Sequence, residues 1–249
     1  TCETGARACF HSHSRGRLCH TLDRLRHARR RFAMPIRDEF AAVLFDVDGV
    51  LLDSMSLHVD AWVRAGQELG IEITEDEVYR REGEKAEVSA RDFVKAAGMM
   101  TPRARAAALL ERKREIYARI AATPKLFPGV ESVLAAAREA GLALAYVTGT
   151  SRAEMNAILP ANVAEFFGAS VCGDEVMHGK PNPEPYMTAA RLLKLHAREC
   201  LVIENAPYGI RSGRTAGCAV WAVRSTLDGD HLREAHRVID RIEDLLPEI

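Results

Sequence analysis

Apolar and polar positions along this chain of 249 residues follow two different periods. Near its start an unbroken apolar run, Ala42-Val43-Leu44-Phe45, meets Asp46, then Asp48 and Gly49. A short continuous run of this kind predicts a strand buried on both faces of a parallel sheet. The next strand does not follow promptly. From Ser54 to Thr123 the spacing is helical, with Leu57, Ala61, Trp62, Ala65 and Leu69 on one 3.6-residue stripe. Thr74-Glu75-Asp76-Glu77 has the form of a capping box, and Thr101-Pro102 sets a cap before a first-turn proline.

From Pro128 onward, helix and strand signals alternate regularly. A helix over Val130 to Ala140 stops at Gly141, and the strand Leu142 to Val147 runs into Thr148-Gly149-Thr150. Ser151-Arg152-Ala153-Glu154 caps the helix after it. Further strands are predicted near Ala169 to Cys172, Cys200 to Ile203 and Val220 to Val223, with helices opened by Asn182-Pro183 and by Pro207. This pattern predicts an α/β fold, a doubly wound Rossmann-like parallel sheet with a helical module inserted after its first strand. The expected divisions are a basic extension at 1–34, an α/β core from 35–53 and 124–249, and a helical cap at 54–123.

Apolar content of 47% and charged content of 28% are ordinary for a soluble globular protein. No apolar run approaches bilayer length, and the first 34 residues hold no apolar segment of the secretory type. The net charge of −1 conceals an asymmetry: residues 1–34 carry eight Arg against Glu3 and Asp23, a net of +6. The rest is therefore near −7. Met34-Pro35-Ile36 has the form of a protein start, so the preceding segment is expected to be untranslated leader and dispensable. Two sharper readings of it remain. Arg24 to Arg31 suit electrostatic binding to nucleic acid, and Cys9, His11, His13, Cys19 and His20 are zinc-ligand types, although their spacing fits no standard zinc pattern. The six cysteines show no CxxC spacing, and Cys172, Cys200 and Cys218 sit in or beside strand-like runs, which suits a reducing cytoplasm. A cytoplasmic monomer with neither a membrane nor a nucleic-acid partner is expected.

Charge and pattern together mark a candidate site. Ligands of open parallel sheets bind beyond the carboxyl ends of the strands, where Asp46 and Asp48 fall. Two carboxylates that close repel unless a cation or a shared proton relieves them, and a hard divalent cation with oxygen ligands, Mg²⁺, is the simplest relief. The alternative is a carboxylate pair that caps the next helix. Gly49 permits the tight turn that brings both acids to one centre. Thr148 ends a later strand before a glycine and a helix start, a place suited to phosphate oxygens. Lys180 lies in Gly179-Lys180-Pro181-Asn182-Pro183, either solvated or held as a fixed positive charge, and Glu204-Asn205 ends another apolar strand.

In the order Asp-x-Asp, Thr, Lys, acid, these residues resemble the four motifs of the haloacid dehalogenase (HAD) superfamily of phosphohydrolases, over about residues 40–249. Asp53-Ser54-Met55, His58, Ala61-Trp62 and Gly179-Lys180-Pro181-Asn182-Pro183 are similar to its β-phosphoglucomutase-like branch. The run Val202 to Ile210 resembles sugar-phosphate phosphatases and an inorganic pyrophosphatase within it. The resemblance implies that Asp46 is the nucleophile, forming an aspartyl-phosphate, and that Asp48 is the general acid and base. It implies that Thr148 and Lys180 stabilise the phosphoryl oxygens, and that Gly149, Thr150, His58, Glu82 and Lys85 meet the substrate. Mg²⁺ would be held by Asp46, Asp48 through its backbone carbonyl, and Asn205, with Glu204 close by. Most relatives carry aspartate where this chain has Asn205, which removes a negative charge from the metal site. Glu82 and Glu84, in the cap loop Arg81 to Lys85, are candidates to compensate, or else form a solvated turn.

The expected activity is a Mg²⁺-dependent phosphatase acting on a small phosphorylated metabolite or on pyrophosphate. One alternative is a phosphosugar mutase, which needs a cap cation such as Lys85 or Arg91 to hold a second phosphate. A phospho-accepting receiver domain is the alternative of another class; the inserted helices and the Asp-x-Asp spacing count against it.

Overall fold

The computed structural model of the chain describes residues 34–120 and 125–249. The basic extension, with its zinc and nucleic-acid readings, lies outside the described residues, apart from Met34. A short helix α1 (Ile36–Glu39) leads into β1 (Ala42–Phe45), and β2 (Leu52–Asp53) follows the turn after it. Four helices come next: α2 (Met55–Leu69), α3 (Glu75–Arg80), α4 (Ala86–Ala96) and α5 (Pro102–Ile120). Then β3 (Lys125–Leu126), α6 (Val130–Glu139), β4 (Ala143–Val147), α7 (Arg152–Ile158), α8 (Ala161–Ala164) and β5 (Ala169–Val171) complete one wing of the sheet. The other wing is α9 (Glu184–Leu192), β6 (Cys200–Glu204), α10 (Pro207–Ala216), β7 (Ala219–Val223), α11 (Gly229–Leu232) and β8 (Arg237–Ile239).

The six-stranded sheet runs β5-β4-β1-β6-β7-β8, with every pairing parallel. Leu44 of β1 stands opposite Ala145 of β4 on one side and Val202 of β6 on the other. The strand order reverses about β1, so the crevice beyond β1, β4 and β6 is the place where this topology binds ligands. β1 is buried at every position because each face has its own helices. Val43 and Phe45 join the apolar cluster under α6, whereas Ala42 and Leu44 join the one under α9 and α10. β8 is a strand that the sequence pattern did not predict.

The helices between β2 and β3 have a third apolar cluster of their own, centred on Trp62, Phe93, Leu109 and Tyr117. The whole stripe expected on α2 joins it: Ala61, Trp62 and Ala65 are buried, and Leu57 and Leu69 pack at its edge. Thr74 accepts the Glu77 N–H while the Glu77 carboxylate accepts the Thr74 N–H, closing the expected capping box on α3. Thr101 differs from its expected capping role. Its φ is +55° and its hydroxyl donates to the Met100 carbonyl, 2.7 Å away. β2 and β3 pair antiparallel, Leu52 opposite Leu126, so the chain leaves the sheet and returns to it through one two-stranded tether. Among the described residues no helix is long and apolar enough to cross a membrane.

If the helical module has a separable core, damage to that core should stay local. Phe93 is 4% exposed and packs edge-on against Trp62, ring centres 5.4 Å apart. Phe93→Ala should destabilise by about 3–5 kcal/mol, read by denaturant unfolding. Hydrogen exchange should then accelerate in residues 55–120 while the amides of β1, β4 and β6 keep their protection. Equal acceleration in the sheet would show a single cooperative unit.

Candidate active site

The carboxyl ends of β4, β1 and β6 lie side by side, so the residues that follow them converge. Lys180, from the loop between β5 and α9, inserts its ammonium among them. Its Nζ donates to Asp46 Oδ1 at 2.7 Å, Glu204 Oε1 at 2.7 Å and the Val147 carbonyl at 3.2 Å. Three acceptors match the three protons of an ammonium. Tyr186 of α9 adds a 2.7 Å hydrogen bond to Glu204 Oε1, and Glu204 Oε2 accepts the Asn205 and Ala206 N–H groups. All four oxygen interactions of Glu204 are thus internal. Asp46 is 1% exposed and Lys180 2%. Burial, reinforced by the Glu204 charge, pushes the Asp46 carboxyl up to about 8, with Lys180 acting in the opposite direction. Burial alone would lower Lys180, but Asp46 and Glu204 beside it hold it above its usual range.

Asp48 is gripped by four side chains. Its Oδ1 accepts from Ser54 at 2.6 Å and lies 3.3 Å from His58 Nε2, and its Oδ2 accepts from Thr150 at 3.0 Å and Thr148 at 3.3 Å. Burial pushes this carboxyl up, but His58, Ser54 and Thr150 outweigh it and hold Asp48 below the usual carboxylate range. His58 stacks on Tyr117 of α5 with ring centres 4.2 Å apart, and burial, with the Lys113 charge, lowers its pKa.

The loop between α3 and α4 comes down onto this centre. Glu82 is 3% exposed; it accepts hydrogen bonds from Asn205 Nδ2 and from the Thr226 hydroxyl, the latter at 3.0 Å. Burial drives its carboxyl well above the usual range. Gly49, at φ +79°, leaves the space that these groups fill: a Cβ there would run into the Asn205 amide and the Glu82 carboxylate. Glu84 forms a backbone bridge with Lys180. Its carboxylate is fixed by Arg81 at 2.9 Å and Ser89 at 2.6 Å. Lys85 turns away and donates to the Val176 carbonyl at 2.9 Å.

A model of the haloacid dehalogenase-like hydrolases matches residues 40–217. The chain belongs to this family. It is 34% identical to hexitol phosphatase A of Escherichia coli over 81% of this chain and 91% of that protein. It is 29% identical to a phosphorylated carbohydrates phosphatase of Thermotoga maritima over 79% of this chain and 92% of that one. Among solved structures, a putative β-phosphoglucomutase from Bacteroides vulgatus aligns at a TM-score of 0.76 and 28% identity, covering 94% of this chain and 96% of its own. The protein is an enzyme, a HAD-like phosphatase.

Phosphatases of this family generally use a divalent metal, and two atoms here fit one. Asp46 Oδ2 and Asn205 Oδ1 are buried without a hydrogen-bond partner, and a buried polar atom in that state is open to an ion, a water or a substrate group. Among the described residues no three His, Cys, Asp or Glu side chains are arranged around an ion. Both Glu204 oxygens are engaged within the protein, whereas Asn205 Oδ1 is open. A cavity of about 180 Å³ opens above the centre, lined by Asp46, Asp48, His58, Glu82, Gly149 and Thr150 among others. Lys180 and Thr148 lie behind its wall, and Lys85 stands outside it. Arg91, the other cation considered for a second phosphate, is exposed and donates to the Glu87 carbonyl on its own helix.

Sequence reading missed Tyr186, Thr226 and the holding role of Ser54. The one available signal was position, since Thr226 follows the carboxyl end of β7 in the same row as the recognised loops.

The raised pKa of Glu82 has a testable sign. An acid whose folded pKa exceeds its unfolded value near 4.3 loses folded-state stability as pH rises from there through the folded pKa. Glu82→Gln mimics the protonated form and keeps its shape. In metal-free buffer its melting temperature should exceed wild type at pH 8 by more than about 2 °C, and the gap should shrink toward pH 5. A gap independent of pH would show that Glu82 titrates normally.

Proposed function

We propose that this chain is a Mg²⁺-dependent phosphatase that hydrolyses a small phosphate monoester, or pyrophosphate, through an aspartyl-phosphate on Asp46. The observation that carries the reading is the state of that carboxylate. One of its oxygens is ion-paired to Lys180, the other is bare, and Asp48 stands two residues on under four hydrogen-bonding side chains.

In the first step the Asp46 carboxylate, its own proton displaced, attacks phosphorus as the bond to the leaving oxygen breaks; Asp48, ionised in the resting site, first takes up a proton and passes it to that oxygen. In the second, Asp48 removes a proton from water, which attacks the acyl phosphate; inorganic phosphate leaves and the Asp46 carboxylate is restored. Lys180 and the Thr148 hydroxyl stabilise charge on the equatorial oxygens. Mg²⁺, held by Asp46, the Asp48 carbonyl and Asn205, would neutralise charge on the transferred group. The four-helix module serves as a cap: Glu82 seals the centre from above, and exclusion of water strengthens each of these interactions. The cavity is smaller than the roughly 300 Å³ at which pockets for drug-sized ligands begin, which favours a compact substrate. The buried free thiols Cys172, Cys200 and Cys218 suit a reducing, cytoplasmic setting.

A phosphate-release assay over sugar phosphates, phosphoglycolate and pyrophosphate with Mg²⁺ tests the reading. Turnover should be found on at least one of them. Asp46→Asn should lower kcat by more than about 10³-fold with an unchanged fold by circular dichroism. Turnover within tenfold of wild type would remove Asp46 as nucleophile, provided mass spectrometry shows no reversion to aspartate.

Metal affinity should also depend on pH. With the Asp46 carboxyl raised to about 8, an incoming cation must displace its proton. The Kd for Mg²⁺ by calorimetry should fall as pH rises from 6 to 8, with proton release at pH 6, and level off above. A Kd that is flat across this range would place the metal away from Asp46.

A further inference from the structure

Lys113 of α5 is 5% exposed, yet its ammonium has no hydrogen bond or ion pair with any described residue. It lies 4.6 Å from the centre of the Tyr117 ring and 5.8 Å from that of Trp62, and it lines the cavity above Asp46 and Asp48. The other charged groups around that cavity are engaged. Arg81 pairs with Glu84 and Asp92, Arg114 with Glu87, and Asp174 accepts the Arg152 N–H. Glu154, Asp48 and Glu87 are the carboxylates whose charge is felt at Lys113, and Arg114 the cation. Glu154 closes the capping box of α7 with Ser151, and Asp48 is held as described.

A desolvated ammonium without a counter-charge is unfavourable, and aromatic faces compensate it only in part. Burial accordingly lowers the pKa of Lys113. A methionine would fill the same space on Trp62 and Tyr117 without that penalty. The position of the charge says where its partner comes from. Tyr117, under the ammonium, stacks on His58, and His58 meets Asp48, the group assigned to the leaving oxygen. The missing anion therefore belongs on the leaving-group side of the scissile bond.

We propose that Lys113 binds a negative charge on the leaving group, so that the substrates of this enzyme are those whose leaving group is itself an anion, a phosphate or a hydroxycarboxylate, rather than a neutral polyol. This rests on the phosphatase reading above and narrows it. Two relatives are named a hexitol phosphatase and a phosphorylated carbohydrates phosphatase, and a hexitol is a neutral leaving group.

The test compares kcat/KM for pyrophosphate and 2-phosphoglycolate with that for a neutral-leaving-group ester, sorbitol 6-phosphate, in wild type, Lys113→Met and Lys113→Arg. Wild type should favour the better of the two anionic substrates by at least tenfold. Lys113→Met should shrink that ratio by at least tenfold, mostly through KM, and Lys113→Arg should restore much of it. Wild-type preference for sorbitol 6-phosphate overturns the proposal without any variant, so a misfolded variant does not protect it. Equal losses on all substrates in Lys113→Met also overturn it, and would assign Lys113 to positioning His58 and Asp48. A wild-type protein that releases phosphate from none of them overturns the phosphatase reading, and this inference with it.

Discussion

The Lys180 ammonium is the contact on which the site depends, because it joins segments that have no other reason to meet. Asp46 closes β1, Glu204 closes β6, and both carboxylates are buried at the carboxyl edge of the sheet. Left alone they would repel at a spacing where the low-dielectric interior amplifies the effect. Lys180 reaches both at 2.7 Å and takes the Val147 carbonyl of β4 as its third partner. One side chain thus ties the ends of the three central strands. Its backbone does more, since the bridge to Glu84 brings the helical module down onto the same loop. Breaking such a buried pair by removing one partner is strongly destabilising, because the other charge remains in place. The geometry is correspondingly strict: Tyr186 and two main-chain N–H groups occupy the remaining capacity of Glu204, so that carboxylate acts as a fixed counter-charge.

The polar groups beyond the end of β6 are divided between the sheet and the inserted module. Asn205 presents an uncharged amide at the end of β6, and its Nδ2 donates to Glu82, which arrives from the loop after α3. Thr226, beyond β7, closes the triangle by donating to Glu82 while accepting from Asn205. The arrangement fixes the orientation of the amide: with Nδ2 engaged twice, Oδ1 faces the centre. Gly49 is required by the same packing, since its turn is left-handed and the space above its Cα is filled by these two side chains. A neutral amide on the sheet and a buried acid on the module therefore form one hydrogen-bonded unit.

What the sequence made legible follows the range of the forces involved. The continuous apolar run at Ala42 to Phe45, the stripe on α2 and the capping boxes at Thr74 and Ser151 are local, and each formed as its residues dictate. The convergence of Asp46, Asp48, Thr148, Lys180 and Glu204 was legible because all but Lys180 follow directly on strand ends of one parallel sheet, and topology brings such ends together. Side-chain direction was not legible. Lys85 and Glu82 sit three residues apart in one loop, yet one bonds the Val176 carbonyl and the other enters the centre. Nothing in Glu204-Asn205 says which oxygen is free; that depends on Tyr186 and Lys180, distant in sequence. β8 escaped notice because Arg237-Val238-Ile239 is too short to show a period.

The two acids differ in their surroundings in the same long-range way. Asp46 and Asp48 are one residue apart from being neighbours, yet their environments drive their proton affinities in opposite directions. Asp46 has one cation and a second carboxylate beside it, and a bare oxygen, so burial dominates and its affinity for a proton or metal rises. Asp48 has donors on both oxygens, which favour the ionised form. By proton affinity alone the roles would be reversed, the raised acid donating and the ionised one attacking, so a cation at the bare oxygen of Asp46 must displace its proton before that carboxylate can attack. The acid that keeps an unsatisfied oxygen is the one suited to bond formation. The acid whose donors are hydroxyls and an imidazole, all able to reorient, is the one suited to giving and taking a proton.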